Sequence, residues 1–165
     1  MLGDVEAALA APRPTTRSPP MPNTEDLPIS FSHANLSKLE SLRPERRAVL
    51  EDLFRGDGTK DADRIAAHFA ADATFQIGGM PPVKTRDGVR AMLAGFFAQS
   101  PFLALEHELL EVYDLDEALL WRANALYRMR DGRVISTPYV NRVTFAAGEC
   151  VDYRVHIDLS TLRPS

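Results

Sequence analysis

From Phe102 onward the apolar residues alternate with polar ones, whereas before Pro101 they recur every three or four positions, and that switch of period constrains the fold more than any other feature. The alternation predicts four long strands, over about Phe102 to Tyr113, Ala118 to Met129, Arg133 to Phe145 and Cys150 to Leu159. The links Asp114-Leu115-Asp116-Glu117, Asp131-Gly132 and Ala146-Ala147-Gly148-Glu149 are short enough to make each pair an antiparallel hairpin, and Asp-Gly is a strong hairpin turn. Helices first and a meander last give an α+β fold, with the helices covering one face of a curved antiparallel sheet.

Three helices are expected ahead of the meander. Pro44 suits a first helical turn, and Val49, Leu50, Leu53 and Phe54 follow at helical spacing until Gly56, a stop signal. A second helix is expected from about Asp61 to Ala70, with Ile65, His68 and Phe69 on one side. Ala73 to Ile77 reads as a short strand, closed by the breakers Gly78, Gly79, Pro81 and Pro82. The third helix spans about Asp87 to Gln99 and buries Val89, Leu93, Phe96 and Phe97.

The remainder of the chain is of another kind. Pro12, Pro14, Pro19, Pro20, Pro22 and Pro28 crowd its start among Thr, Ser and Arg, with no apolar period from which to build a core. Residues 1–30 are therefore expected to be a mobile tail, 31–43 a loosely packed connector bearing Phe31, Leu36 and Leu39, and 44–162 the folded domain.

Charge and motif content exclude several classes of function. With 19 Lys and Arg against 23 Asp and Glu, the net charge of -4 disfavours a nucleic acid partner, which needs a clustered basic surface. Cys150 is the only cysteine, so no intrachain disulfide forms. No apolar run reaches the roughly 18 residues of a membrane span. Met1 to Ala11 carries Asp4 and Glu6 where a signal peptide carries positive charge, and the expectation is an uncleaved, cytoplasmic protein with no membrane partner. The histidines His33, His68, His107 and His156 have no Cys or His at ligand spacing, so no metal is expected. Gly78-Gly79-Met80-Pro81-Pro82 holds too many prolines to cradle a phosphate, and no nucleotide cofactor is expected.

Strand parity singles out two residues. Trp121, Ala123, Ala125 and Tyr127 share one face of their strand, Ile135, Thr137, Tyr139, Asn141, Val143 and Phe145 share one face of the next, and Leu103, Leu105, His107 and Leu109 share one face of the first. His107 and Asn141 are polar exceptions on faces that should meet the helices. A buried polar side chain without a partner costs roughly 1–3 kcal/mol, so each needs a reason to be there. That reason is either a hydrogen bond within the core or a cavity between sheet and helices, walled by Trp121, Tyr139 and Tyr153.

The run His68-Phe69-Ala70-Ala71-Asp72-Ala73-Thr74-Phe75, the helix from Asp87 and the final Asp152-Tyr153-Arg154-Val155-His156-Ile157-Asp158-Leu159 together resemble the SnoaL-like branch of the nuclear transport factor 2 and ketosteroid isomerase superfamily. The resemblance implies a cone-shaped α+β domain whose curved sheet wraps a pocket and which commonly dimerises through the sheet. It covers isomerases, cyclases, dehydratases and epoxide hydrolases as well as binding domains. Ketosteroid isomerases use an Asp base and an oxyanion hole made by a Tyr and a protonated Asp. The corresponding positions here are Ile77, about Leu50, and Asn141, so two of those three roles are missing. SnoaL-type cyclases carry an acid/base Asp in the last strand, and Asp158 resembles it, although parity places Asp158 on the polar face with Arg154 and His156.

The expectation is then a cofactor-independent pocket protein acting on a small apolar molecule, polycyclic or aromatic, by proton transfer. His107 is the expected acid/base, because imidazole titrates near neutrality, and Asn141 steadies a developing oxyanion beside Tyr139 or Tyr153. Asp158 is the third catalytic candidate, carried by the resemblance alone. The alternative is a binding or dimerisation domain that keeps the pocket without chemistry. A homodimer is expected through Arg122, Asn124, Arg154, His156 and Asp158 on the outer sheet face.

Overall fold

Four strands of the meander form where alternation requires them, and two further ones complete the sheet. In the computed structural model, which describes residues 29–162, the elements run α1 (His33–Leu39), α2 (Pro44–Thr59), α3 (Ala62–Ala66), β1 (Phe69–Ile77), β2 (Val83–Lys84), α4 (Arg86–Gln99), β3 (Phe102–Asp114), β4 (Ala118–Met129), β5 (Val134–Ala146) and β6 (Glu149–Ile157). Sheet order is β2-β1-β6-β5-β4-β3. Residues 1–28, which hold nearly all of the expected mobile tail, lie outside the described residues.

The fold is α+β as expected, with one change: the sheet is mixed. The meander pairs antiparallel, but β1 runs parallel to β6, from Thr74 opposite Asp152 to Ile77 opposite Val155. A parallel pair needs a long crossover, and α4 with β3, β4 and β5 supply it. The expected helix to Ala70 is also shorter. Asp61 caps α3 by accepting a hydrogen bond from Arg64 N, the helix ends at Ala66, and Phe69 is already in the sheet. There the Cys150 N–H donates to His68 O at 2.8 Å.

Gly56 does not stop its helix. A Cβ at this position would stand 2.4 Å from Cγ1 of Ile65, so the glycine is there to let α3 pack against α2. Helix α2 continues for nearly another turn and closes at Lys60, whose φ of 56° makes it a left-handed cap. That extra turn carries Asp57 to the sheet.

The connector 31–43 is not loosely packed. Leu39 is fully buried, Asn35 is 2% exposed, and Asn35 binds the outer edge of β3 through its amide. An edge strand presents unpaired N–H and C=O groups, and here an ordered segment covers them. Strand β3 itself departs from strict alternation. Register shifts fall between Phe102 and Ala104 and between Leu109 and Glu111, so Phe102 is fully buried while Leu103, expected inward, is 54% exposed.

The core lies between the sheet and α2, α3 and α4, with Phe54, Phe69, Phe102, Trp121 and Tyr127 almost wholly enclosed. No helix among the described residues is long and apolar enough to cross a membrane.

Candidate functional site

Between the sheet and the helices lies a cavity of about 60 Å³. Its walls are mainly apolar, from Leu53 of α2, Ile65 of α3, Met92, Leu93 and Phe96 of α4, and Ile77, Val155 and Ile157 of the sheet. Asp57, His107, Tyr127, Tyr139, Asn141 and Tyr153 supply its polar groups. His107 and Asn141 thus open on one cavity, as parity requires of residues that share the inner sheet face.

His107 is 5% exposed and stacks on Phe54, ring centroids 4.4 Å apart. Both of its nitrogens are engaged. Nε2 lies 3.0 Å from Oδ2 of Asp57, and Nδ1 lies 2.7 Å from the Tyr139 hydroxyl. Behind Tyr139, the Trp121 indole N–H donates to the same hydroxyl at 3.1 Å. Four side chains from α2, β3, β5 and β4 therefore form one hydrogen-bonded chain that ends in a carboxylate at the cavity. Asp57 uses only Oδ2 on the ring, which leaves Oδ1 as an acceptor.

Asn141 donates through Nδ2 to the Tyr153 hydroxyl at 2.7 Å, while its Oδ1 is buried and has no partner among the described residues. Burial pushes the pKa of Tyr139 and of Tyr153 well up, so both hydroxyls stay protonated. They remain donors at any ordinary pH.

Two expectations change, and one cavity residue is new. Trp121 is fully buried and is not part of the cavity wall; it supports Tyr139 from behind. Asp158 is exposed just beyond β6, where its Oδ1 accepts from Ser160 N, and it does not line the cavity. It stays on the outward parity because no bulge falls at the end of β6 to turn it. Asp57, which does line the cavity, is missed by sequence reasoning because Gly56 signals a helix end just before it. Its only sequence signal is a carboxylate flanked by Gly56 and Gly58, and this does not distinguish it from a surface turn.

Elsewhere, burial pushes the Cys150 thiol up to about 12, so it is no nucleophile. Among the described residues, no three His, Cys, Asp or Glu side chains gather as a metal site requires.

The profile of the SnoaL-like domain matches residues 50–153, from the middle of α2 to β6. The chain belongs to the SnoaL-like domain family. Solved structures agree on the fold. A ketosteroid isomerase-like protein from Catenulispora acidiphila, crystallised with trimethylamine, superposes with a TM-score of 0.60 at 12% identity, covering 69% of this chain and 88% of that one. A protein from Jannaschia sp., described as a SnoaL-like polyketide cyclase, gives 0.59 at 17% identity, covering 70% and 87%. An LEH-like epoxide hydrolase from M. tuberculosis gives 0.58 at 13% identity, covering 72% and 86%. No curated protein matches the chain. The SnoaL-like match begins at Leu50, so α1 and the start of α2 lie ahead of it.

Proposed function

We propose that this SnoaL-like domain is an enzyme that moves a proton on a small uncharged molecule, as an isomerase, cyclase or dehydratase. The observation that carries the reading is the chain Asp57–His107–Tyr139, which opens on an apolar cavity. Asp57 is the base. Its Oδ1 accepts a proton from the substrate, while the Nε2–H of His107 fixes the carboxylate's direction. Charge that develops on a substrate oxygen meets the hydroxyl of Tyr153 and the amide of Asn141, among walls that are otherwise mainly apolar. His107 thus serves between two partners instead of acting alone.

A carboxylate at the cavity repels anions, and the mainly apolar walls disfavour a bare charge of either sign, which favours an uncharged substrate. At about 60 Å³ the cavity is smaller than the roughly 150 Å³ that holds one six-membered ring, so a ring substrate, and a polycyclic one more so, requires the half-buried Met92 and Phe96 to move aside. Structural neighbours described as a polyketide cyclase and an epoxide hydrolase support small-molecule chemistry in this fold.

A second reading, binding without turnover, draws on the mutual satisfaction of these groups, since both His107 nitrogens are bonded within the protein, and on the resemblance, which implies that Ile77 replaces the base of ketosteroid isomerases. One experiment separates the two. In heavy water, the native protein should speed deuterium uptake next to the carbonyl of small ketones such as cyclohexanone, followed by NMR. Asp57→Asn should lose about a hundredfold or more of that rate. Equal rates for the two proteins would overturn the enzyme reading.

A further inference from the structure

We infer that Asn35, on the segment ahead of the SnoaL-like match, is a positioning residue for His107. The inference rests on the reading of His107 given above. Strand β3 is the free edge of the sheet, so the outward N–H and C=O groups of His107 and the N–H of Leu109 have no strand to pair with. Side chains take that place. The His107 N–H donates to Ser30 Oγ at 2.8 Å, Asn35 Nδ2 donates to His107 O at 2.6 Å, and the Leu109 N–H donates to Asn35 Oδ1 at 2.9 Å. A further bond from Asn35 Nδ2 to Ile29 O at 2.9 Å completes its hydrogen bonding.

Asparagine is the residue this position demands. One amide face must accept from the Leu109 N–H while the other donates twice; aspartate has no donor, and an aliphatic side chain has neither group. At 2% exposure, no water replaces a missing bond.

The grip falls between two irregularities of the ladder. Register shifts on either side leave the stretch from Ala104 to Leu109 bounded by two irregularities, with the His107 backbone inside it. The imidazole meets Asp57 and Tyr139 only if that backbone stays in place, since a shift well under 1 Å takes contacts of 3.0 and 2.7 Å out of hydrogen-bond range. Helix α1 holds the clamp by its own means: Ser32 caps it by accepting from Asn35 N, and Leu39 is fully buried beneath it.

The test compares Asn35→Ala with Val89→Ala, a fully buried position on α4 away from the clamp and the cavity, in the full chain at a temperature where both remain folded. Both variants lose stability, but only Asn35→Ala removes a contact to His107. Ring nitrogen NMR of His107, read without any substrate, should shift or broaden in Asn35→Ala and match the native spectrum in Val89→Ala. Ser30→Ala, which removes a single bond, should give a smaller change of the same kind. Deuterium uptake into cyclohexanone should fall about tenfold to a hundredfold in Asn35→Ala. Native His107 signals in a folded Asn35→Ala protein would overturn the inference. Because the ring spectrum needs no turnover, it tests the clamp even if the native protein exchanges no deuterium, an outcome that defeats only the enzyme reading.

Discussion

The Tyr139 hydroxyl stands 2.7 Å from Nδ1 of His107, and the Asp57 carboxylate on the far side of the ring decides which way the proton between them points. A carboxylate only accepts, so Nε2 bears the ring's hydrogen. A neutral ring then has a lone pair at Nδ1, to which Tyr139 donates. When the ring gains a second proton, Nδ1–H donates to Tyr139 instead, and the hydroxyl hydrogen is released toward the cavity. The protonation state of His107 thus selects what Tyr139 offers to a ligand. Tyr139→Phe removes this coupling and leaves the Trp121 N–H unpaired in the core. The expected result is a loss of about 1–3 kcal/mol in urea denaturation. The ring nitrogen spectrum should keep the Nε2–H tautomer that Asp57 sets, while the Nδ1 signal shifts on losing its donor.

Much of this site is legible from parity alone. Alternation places Tyr139 and Asn141 on the inner face of β5, and His107 opposite Ala125 on the same side, because one face of each strand must meet the helices. What parity does not encode is where a helix ends when packing overrides a local stop. Gly56 signals an end by propensity, yet the approach of Ile65 gives it a different reason to be glycine. Leu103 departs from its expected face for a related cause, since a register shift carries no marker in a single sequence. Strand order is similarly hidden: the residues of β1 do not reveal that β6 is their parallel neighbour. The clamp by Asn35 leaves no signal either, because an Asn in a short helix reads as a surface residue.

Acid should loosen the N-terminal segment. Glu106 is 6% exposed and binds Arg128 Nε at 2.7 Å and the Ile29 N–H at 3.0 Å. Burial raises its pKa, but the bonds from Arg128 and Ile29 outweigh this and set it below the ordinary carboxylate value. A folded pKa below the unfolded one stabilises the protein fully above the unfolded value, near 4.5, and that contribution disappears as the pH falls through the folded one. The urea midpoint of the native protein should therefore drop below about pH 4.5 more steeply than that of Glu106→Gln. Parallel curves would show that Glu106 is not the group responsible.

The outer sheet face should form a homodimer. Its charges are already paired within the chain, Arg122 with Glu111 and Arg154 with Asp152, while Asn124 binds Glu108, so they are not free to make the pairs expected of them across an interface. Between them Leu120, Leu126 and Val140 stay half-buried and Pro138 is exposed, an apolar strip that a second copy would cover. Light scattering at micromolar concentration should give twice the mass of one chain, and Val140→Asp should halve it. A monomeric native protein would refute this arrangement.

Asn141→Leu separates a ligand site from a packed core. In a satisfied core, removing an amide strands its partners and costs about 1–3 kcal/mol. Here the balance differs, because Asn141 Oδ1 has no partner to lose and the amide's one bond goes to the Tyr153 hydroxyl. Tyr153 lines the cavity, so after the substitution its hydroxyl can turn to a water held there. Leucine also relieves the burial of an unpaired oxygen. Loss and gain nearly cancel, and urea denaturation should show a change within about 1 kcal/mol. Binding responds differently: the cavity loses an amide able to meet a ligand oxygen, so a ligand that co-purifies with the native protein, measured by mass spectrometry, should be depleted about tenfold, equivalent to one hydrogen bond. A fall of about 3 kcal/mol with ligand content unchanged would instead make Asn141 a structural residue.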